Sequence, residues 1–396
     1  MRDKVFRRVA RSTRSELAAT FAADAYETLL SAGFAAKKFM RGIGGDAGAV
    51  LDPESCISTV RPRAVPRCHP DLVPGPDDLD ASIIVPAYNA ESHVKECLDS
   101  AVAQATNYRY EILVVDDGSG DGTPPAIVDG YRDHKDVTVI RTVNAGVATA
   151  RNHAIAVARG GKYLLFLDSD DRLATNSVEL LVGAAEREQA DIVQGGYDVI
   201  DTAGGVIEHV RYEACSQPRL DERTTRTSGY PWGKAIRRTL FEKVRFPDGM
   251  DFEDTIFALV IFPLCGRYVA LSESVYDYRD NPCGITRKLV GRQSALDAYW
   301  LVPLLLEQRE RLAMPVDANL FNKVQNQFGQ LLWARLSGQD SRIKQATFLA
   351  ACAVVNDLRS RVEMTSEALE YPNLDFIFRE YRYDLWSYAG GRCGLQ

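Results

Sequence analysis

The sequence has no C-x-x-C pair and only five histidines, none at metal-ligand spacing from a cysteine, which excludes zinc-ribbon and zinc-finger chemistry. Its eight cysteines (Cys56, Cys68, Cys97, Cys215, Cys265, Cys283, Cys352 and Cys393) are scattered, and are read as reduced thiols of a cytosolic protein. Positive charge is not in excess: 47 Lys and Arg against 54 Asp and Glu leave a formal charge of −7, which argues against general nucleic-acid binding. No run approaches the ~18 apolar residues that cross a bilayer. The richest, residues 256–266, contains Pro263 and is expected to be buried core. The basic N-terminus lacks a continuous apolar stretch, so no secretory signal is expected. Internal repeats and low-complexity tracts are also missing.

What remains is an ordinary globular composition, 46% hydrophobic and 26% charged, which sets disorder aside. At 396 residues the chain exceeds the roughly 250–300 at which one core stops growing, so a main domain with appended pieces is expected. Residues 1–42 interleave Arg2, Lys4, Arg7, Arg8, Arg11 and Arg14 with Val5, Phe6, Val9 and Leu17, a pattern for amphipathic helix. Such a helix either packs on the main domain or lies on anionic lipid. From Gly42 to Pro76, prolines 53, 62, 66, 70, 74 and 76 oppose regular helix and central strand, which reads as a linker. Residues 1–80 are therefore an extension.

Strand-like and helix-like segments then alternate: "ASIIVPAY", "ESHVKECLDSAVAQ", "YEILVVDD", "TPPAIVDGYRD", "VTVIRT", "GVATARNHAIAVA", "YLLFLDSDD". This succession with near-continuous apolar strands predicts an α/β domain with a mostly parallel sheet covered by helices, its ligands beyond the strand C-termini. Past residue 290, "ALDAYWLVPLLLEQRERL", "LFNKVQNQFGQLLWARL" and "IKQATFLAACAVVNDLRSRV" carry helical spacing. The expected division is 1–80, 81–290 and a helical subdomain 291–396.

Two strands end in acids: Asp116-Asp117 after "YEILVV", and Asp168-Ser169-Asp170-Asp171 after "YLLFL". If extended, Asp168 and Asp170 point to one side, about 6–7 Å apart at ~3.3 Å per residue. Close carboxylates repel, and this pair suits a hard divalent cation that completes its shell with phosphate oxygens and water. The plainer reading is that they end a strand and precede a helix starting near Asn176. "DGSGDG" sets Asp117, Ser119, Asp121 and Gly122 at positions 1, 3, 5 and 6 of a calcium loop, but Val128 stands where the bidentate Glu belongs. No G-x-G-x-x-G follows the first strand; the turn there is "VPAYN", whose aromatic ring can stack a nucleobase while Asp117 accepts an imide N–H.

"SIIVPAYNAESHVKECLDSAVAQ", "EILVVDDGSGDGT", "NAGVATARN" and "FLDSDD", in this order, resemble the family 2 glycosyltransferases of bacterial polysaccharide type, over roughly residues 81–290. The resemblance implies a GT-A fold, a nucleotide-diphospho-sugar donor (often a UDP-sugar), Mn²⁺ or Mg²⁺, and inversion at the anomeric carbon. It puts Pro86 and Tyr88 at the base pocket, Asp117 at the uracil edge, Arg151 at the nucleotide, and Ser169 and Asp170 at the metal and ribose. Asp170 is the implied metal ligand, with Asp168 alongside. For Arg151 a structural ion pair at a helix start stays open.

"PDGMDFEDTIFALVIF" resembles the family's second acidic segment, in which the aspartate of an E-D pair is the general base; here it is Asp254, after Glu253. Helix capping by Asp251 and Asp254 is the plainer alternative. "YPWGKAIRRTLFEKVRF" is similar to the family's W-x-K segment, with Gly233 where Asn is common. It implies Trp232 as a wall for sugar or acceptor and Lys234 near the diphosphate, both equally readable as core. "YDYRDNPCGIT" implies Tyr278, Arg279 and Thr286 near the donor phosphates, in a loop that closes over the donor.

The expectation is therefore an inverting, metal-dependent enzyme moving one hexose or N-acetylhexosamine from a UDP-sugar to a glycan or lipid-linked saccharide. It is expected in the cytoplasm, with peripheral membrane contact through the basic N-terminus as an option. A sugar nucleotidyltransferase, or a non-catalytic sugar-nucleotide-binding protein, are the alternatives.

Overall fold

The computed structural model describes residues 52–65, 72, 79–159, 161–220, 227–281, 291–365 and 367–392. The basic segment 1–42, most of the Pro-rich linker, and Thr286 with its loop lie outside the described residues. The chain divides into two compact units, one of Met1–Arg63, Leu289–Pro303 and Pro315–Gln396, the other of Ala64–Lys288 and Leu304–Met314.

Among the described residues the second unit holds ten strands: β1 Ala81–Ala87, β2 Tyr110–Asp116, β3 Val137–Arg141, β4 Tyr163–Phe166, β5 Arg172–Leu173, β6 Ile192–Ile200, β7 Val206–Val210, β8 Cys215–Gln217, β9 Lys234–Arg237 and β10 Tyr268–Arg279. Four helices connect the earlier ones: α1 Val94–Val102, α2 Thr123–Tyr131, α3 Val147–Val157 and α4 Ser177–Glu188. Every residue of β1 and β4 is buried, as is all of β2 except Tyr110. That is why these strands lack polar alternation: helices cover both faces.

One sheet contains all ten strands, in the order β3-β2-β1-β4-β9-β6-β10-β5, with β7 on β6 and β8 on β10. The expected parallel arrangement holds for β3-β2-β1-β4 and for β6 with β10. The remaining strands join antiparallel, β9 against both β4 and β6 and β5, β7 and β8 at the margins, so the second half of the sheet is mixed.

Register sets the functional edge. Ala87 pairs with Asp116, so Tyr88 and Asp117 leave the sheet side by side, and Asp117 N–H donates to Ala87 O at 2.8 Å. The strand β4 stops earlier, at Phe166 opposite Ile84. Beyond it the chain turns: Asp171 N–H donates to Asp168 O at 3.0 Å. The extended spacing expected for Asp168 and Asp170 does not apply, because a tight turn lies over Ser169 and Asp170.

In the other unit, Pro53–Val60 is helical inside the segment read as linker. Proline is tolerated there because Pro53 opens the helix, where no N–H partner exists, and Asp52 caps it by accepting from Ser55 N. Arg61 binds the buried carboxylate of Asp297 through Nε and Nη2, both at 2.7 Å. The expected C-terminal helices are present, among them Asp297–Arg311, Ala318–Asn326 and Ser341–Arg361. The buried Trp386 donates its indole N–H to Phe328 O. Among the described residues no helix is long and apolar enough to cross a membrane. The described cysteines Cys56, Cys97, Cys215, Cys265 and Cys352 are free thiols.

Candidate active site

The turn after β4 is built from the strand opposite. Tyr276 of β10 lies fully buried; its hydroxyl accepts from Asp168 N–H at 3.1 Å and donates to Asp171 Oδ2 at 2.8 Å. Three residues on, Arg279 N–H donates to Asp171 Oδ1 at 2.7 Å, and its guanidinium Nε donates to Asp170 O at 2.7 Å. The rest of that guanidinium reaches Asp201 O, Thr202 O and Glu96 Oε2. Arg279 is thus engaged differently from the expected phosphate contact, since all three of its nitrogens grip protein oxygens behind the acidic turn. Asn281 adds a donor to Asp170 Oδ2 at 3.3 Å.

Arg151, on α3, connects the two acidic segments. Its Nη2 meets Asp168 Oδ1 at 2.7 Å and its Nη1 meets Glu253 Oε1 at 2.5 Å, with the side chain 3% exposed. The Phe246 and Phe166 rings lie beside the guanidinium, 5.5 and 6.0 Å away. Burial alone would lower its pKa, but the charges of Asp168 and Glu253 outweigh this and hold the guanidinium above its ordinary value. Arg151 thus makes a buried double ion pair near the start of α3.

The N-terminus of α3 is fixed by Asp117. This buried carboxylate accepts from Ala145 N–H at 3.0 Å, Gly146 N–H at 2.8 Å and Thr142 Oγ at 3.2 Å, just before α3 begins at Val147. Gly118 makes the approach possible: its φ is +74°, and a Cβ there would stand 2.7 Å from Asn144 N. The tie runs from Asp117 through the start of α3 to Arg151, and from there to both Asp168 and Glu253. Pro86 is buried in β1, and Tyr88, two residues on, is 49% exposed.

Glu253 and Asp254 form the turn that leads into a helix; Phe257 N–H donates to Asp254 O at 2.9 Å. The preceding Phe252 has φ +63°, a conformation that costs energy for a bulky residue. Burial pushes the Glu253 carboxyl up, Arg151 opposes this, and Asp254 adds to it. Lys234, fully buried at the start of β9, donates from Nζ to Ser228 Oγ and Tyr230 O, both at 2.7 Å, and to Trp232 O at 3.5 Å. Burial brings its pKa down to about 7, against the charge of Asp254. Three oxygen acceptors keep it a donor.

Trp232 is buried and stacked: Tyr230, Tyr276 and Tyr278 lie near-parallel to it at centroid distances of 4.7, 4.6 and 5.3 Å. Gly233, where Asn is common in the family, has φ +67° with only Tyr276 Cβ near, at 3.8 Å. Gly and Asn both adopt this left-handed region, so the departure keeps the backbone.

The acids after β4 suit a cation. Asp170 is pushed up by burial and then by Asp168; Asp171 is pushed well up by burial, Asp170 and Asp168. Among the described residues no group of three or more His, Cys, Asp or Glu is set to hold a metal. A hard cation that takes one or two carboxylates and substrate oxygens fits this donor set of Asp170 and Asp168. Tyr276 and Glu96 escaped the sequence reading. The alternation of "YDYR" offered a signal for Tyr276. Glu96 offered none, its partners Arg172 and Arg279 being 76 and 183 residues away.

Residues 82–245 match the family model described as glycosyl transferase family 2. The chain is 34% identical over 216 residues to the uncharacterized glycosyltransferase EpsJ of Bacillus subtilis, covering 52% of this chain and 62% of that one. It is 33% identical over 125 residues to the UDP-Glc:alpha-D-GlcNAc-diphosphoundecaprenol beta-1,3-glucosyltransferase WfgD of Escherichia coli, 32% of this chain and 48% of that one. The chain thus spans less than two thirds of these relatives. The S. aureus TarS 1–349 structure in complex with UDP is similar with a TM-score of 0.55 at 21% identity, covering 79% of this chain and 90% of that one, a likeness of fold. Residues 82–245 thus match glycosyltransferase family 2, and they do so on a GT-A type fold.

Proposed function

We propose that the chain transfers one hexose or N-acetylhexosamine from a UDP-sugar to a hydroxyl of a glycan or lipid-linked saccharide, with inversion. The observation that carries this reading is Arg151 joining Asp168 to Glu253, one buried cation between the acids after β4 and the E-D pair. Glu253 is bound to Arg151, and the resemblance of the E-D pair to the family's second acidic segment supports Asp254 as the base.

In this mechanism Asp254 accepts the proton of the acceptor hydroxyl as its oxygen bonds to the anomeric carbon, and the bond from that carbon to UDP breaks on the opposite side. Asp117 supports the uracil edge and Tyr88 stacks the base, while Ser169 lies at the ribose. A divalent cation, Mn²⁺ or Mg²⁺, held by Asp170 with Asp168 would neutralise the departing diphosphate. Arg151 acts as a positioning residue, fixing Asp168 and Glu253 at set places. UDP as donor nucleotide is supported by TarS, solved with UDP, and a lipid-linked acceptor by the name of WfgD. Peripheral contact with an anionic membrane rests on the charge of residues 1–42, and binding to anionic vesicles at low salt tests it.

Incubation with UDP-glucose, UDP-galactose and their N-acetylated forms, with and without Mn²⁺, tests the reading through UDP release. Release from one donor that stops on chelation is expected. No release from any of them, or pyrophosphate formed from UTP and a sugar 1-phosphate, overturns it in favour of a binding protein or a nucleotidyltransferase.

A further inference from the structure

The stack on Trp232 extends to the surface. Tyr276 is fully buried, but Tyr230 is 46% and Tyr278 37% exposed, although each lies within 13° of the indole plane. Tyr197 closes one edge of Trp232 at 5.0 Å in a T-shape. Exposed large aromatics normally rotate freely; these are held flat by a buried partner, which gives a rigid apolar surface with polar hydroxyl rims.

Its surroundings are those of the proposed chemistry. Lys234 binds the main-chain oxygens of Tyr230 and Trp232, fixing this segment, and it senses the charge of Asp254. On the other side, the Tyr278 hydroxyl is pushed up to about 12 by burial, then by Asp171, Tyr230 and Asp170. It stays neutral at physiological pH. Tyr276, stacked on the same indole, bonds the Asp168–Asp171 turn, and Arg151 ties that turn to Glu253 beside Asp254, so the exposed rings adjoin the cluster of both acidic segments, where an acceptor must approach.

We infer that Tyr230 and Tyr278, braced by Trp232, form the acceptor subsite and take a pyranose ring by stacking against its apolar C–H face. A pyranose offers such a face next to equatorial hydroxyls, whereas an open-chain polyol phosphate does not. This places the acceptor among cyclic saccharides, and it rests on the proposed transfer for the identity of the bound sugar as acceptor.

Saturation-transfer NMR with methyl β-D-glucopyranoside reads the contact without turnover, and transfer kinetics with the same glycoside reads its use. Tyr230→Ala and Tyr278→Ala should each lose most of the saturation on the ring C–H protons and raise the acceptor KM about tenfold. Donor KM should change far less, and Tyr230→Phe should retain both signals. Equal saturation in wild type and alanine variants, or none in wild type, overturns the subsite. A matching rise in donor KM also overturns it, assigning the rings to the donor. Saturation without any UDP-sugar turnover leaves a pyranose site standing while the transfer reading falls; turnover with indifferent variants does the reverse.

Discussion

Arg151 and Glu253 meet at 2.5 Å although 102 residues separate them, and the same guanidinium holds Asp168. Breaking such a pair is costly, because the buried guanidinium has lost its water and depends on the two carboxylates. The relationship therefore links the fold of the second acidic segment to the geometry of the first.

Removing the cation should be costly. Arg151→Met is expected to lower unfolding free energy by about 3–5 kcal/mol, the usual consequence of leaving buried charge unpaired. Adding Glu253→Gln should restore part of the loss, since one uncompensated carboxylate disappears. Denaturant unfolding of the two variants and wild type checks this; independent, additive losses would count against a shared pair.

The two glycines of left-handed backbone should behave oppositely. Gly118→Ala places a Cβ 2.7 Å from backbone Asn144 N at φ +74°, and about 1–3 kcal/mol of destabilisation is expected, with weaker UDP binding as the Asp117 tie to α3 shifts. Gly233→Asn meets nothing closer than 3.8 Å and keeps a conformation open to Asn, so thermal unfolding should barely move.

Asp171 predicts a pH dependence. Its folded pKa is raised by burial and by Asp170 and Asp168, so the folded state holds its proton where the unfolded chain has released it. The stability it contributes is full below its unfolded pKa and is lost as pH rises through the raised folded value. In metal-free buffer, the unfolding free energy of Asp171→Asn should therefore increase relative to that of wild type from pH 4 to pH 8. A flat difference would show that the carboxyl titrates normally.

Much of this was legible in the residues. The apolar runs at Ile83, Leu113 and Leu165 gave parallel strands, and the acids following the latter two marked one edge, because both signals are local. The short antiparallel strands were not legible: β5 and β8 have two and three residues and exist through pairing with β10. Pro53 was misjudged as a helix breaker because its place at the first helical position is invisible without the cap at Asp52. The partners of Arg151 and Arg279 were beyond reach for a related reason. A guanidinium takes whichever carboxylates the topology delivers, and no spacing in the sequence encodes that Glu253 and Glu96 arrive there.

The separation of base from nucleotide binding is tested on one preparation, Asp254→Asn, by titrating UDP in Mn²⁺ and measuring transfer from the donor that wild type uses. Transfer should fall by about 10²–10⁴-fold while UDP affinity stays at the wild-type value. Undiminished transfer, or a loss of UDP affinity equal to the loss of transfer, would contradict the assignment of Asp254 as the proton acceptor.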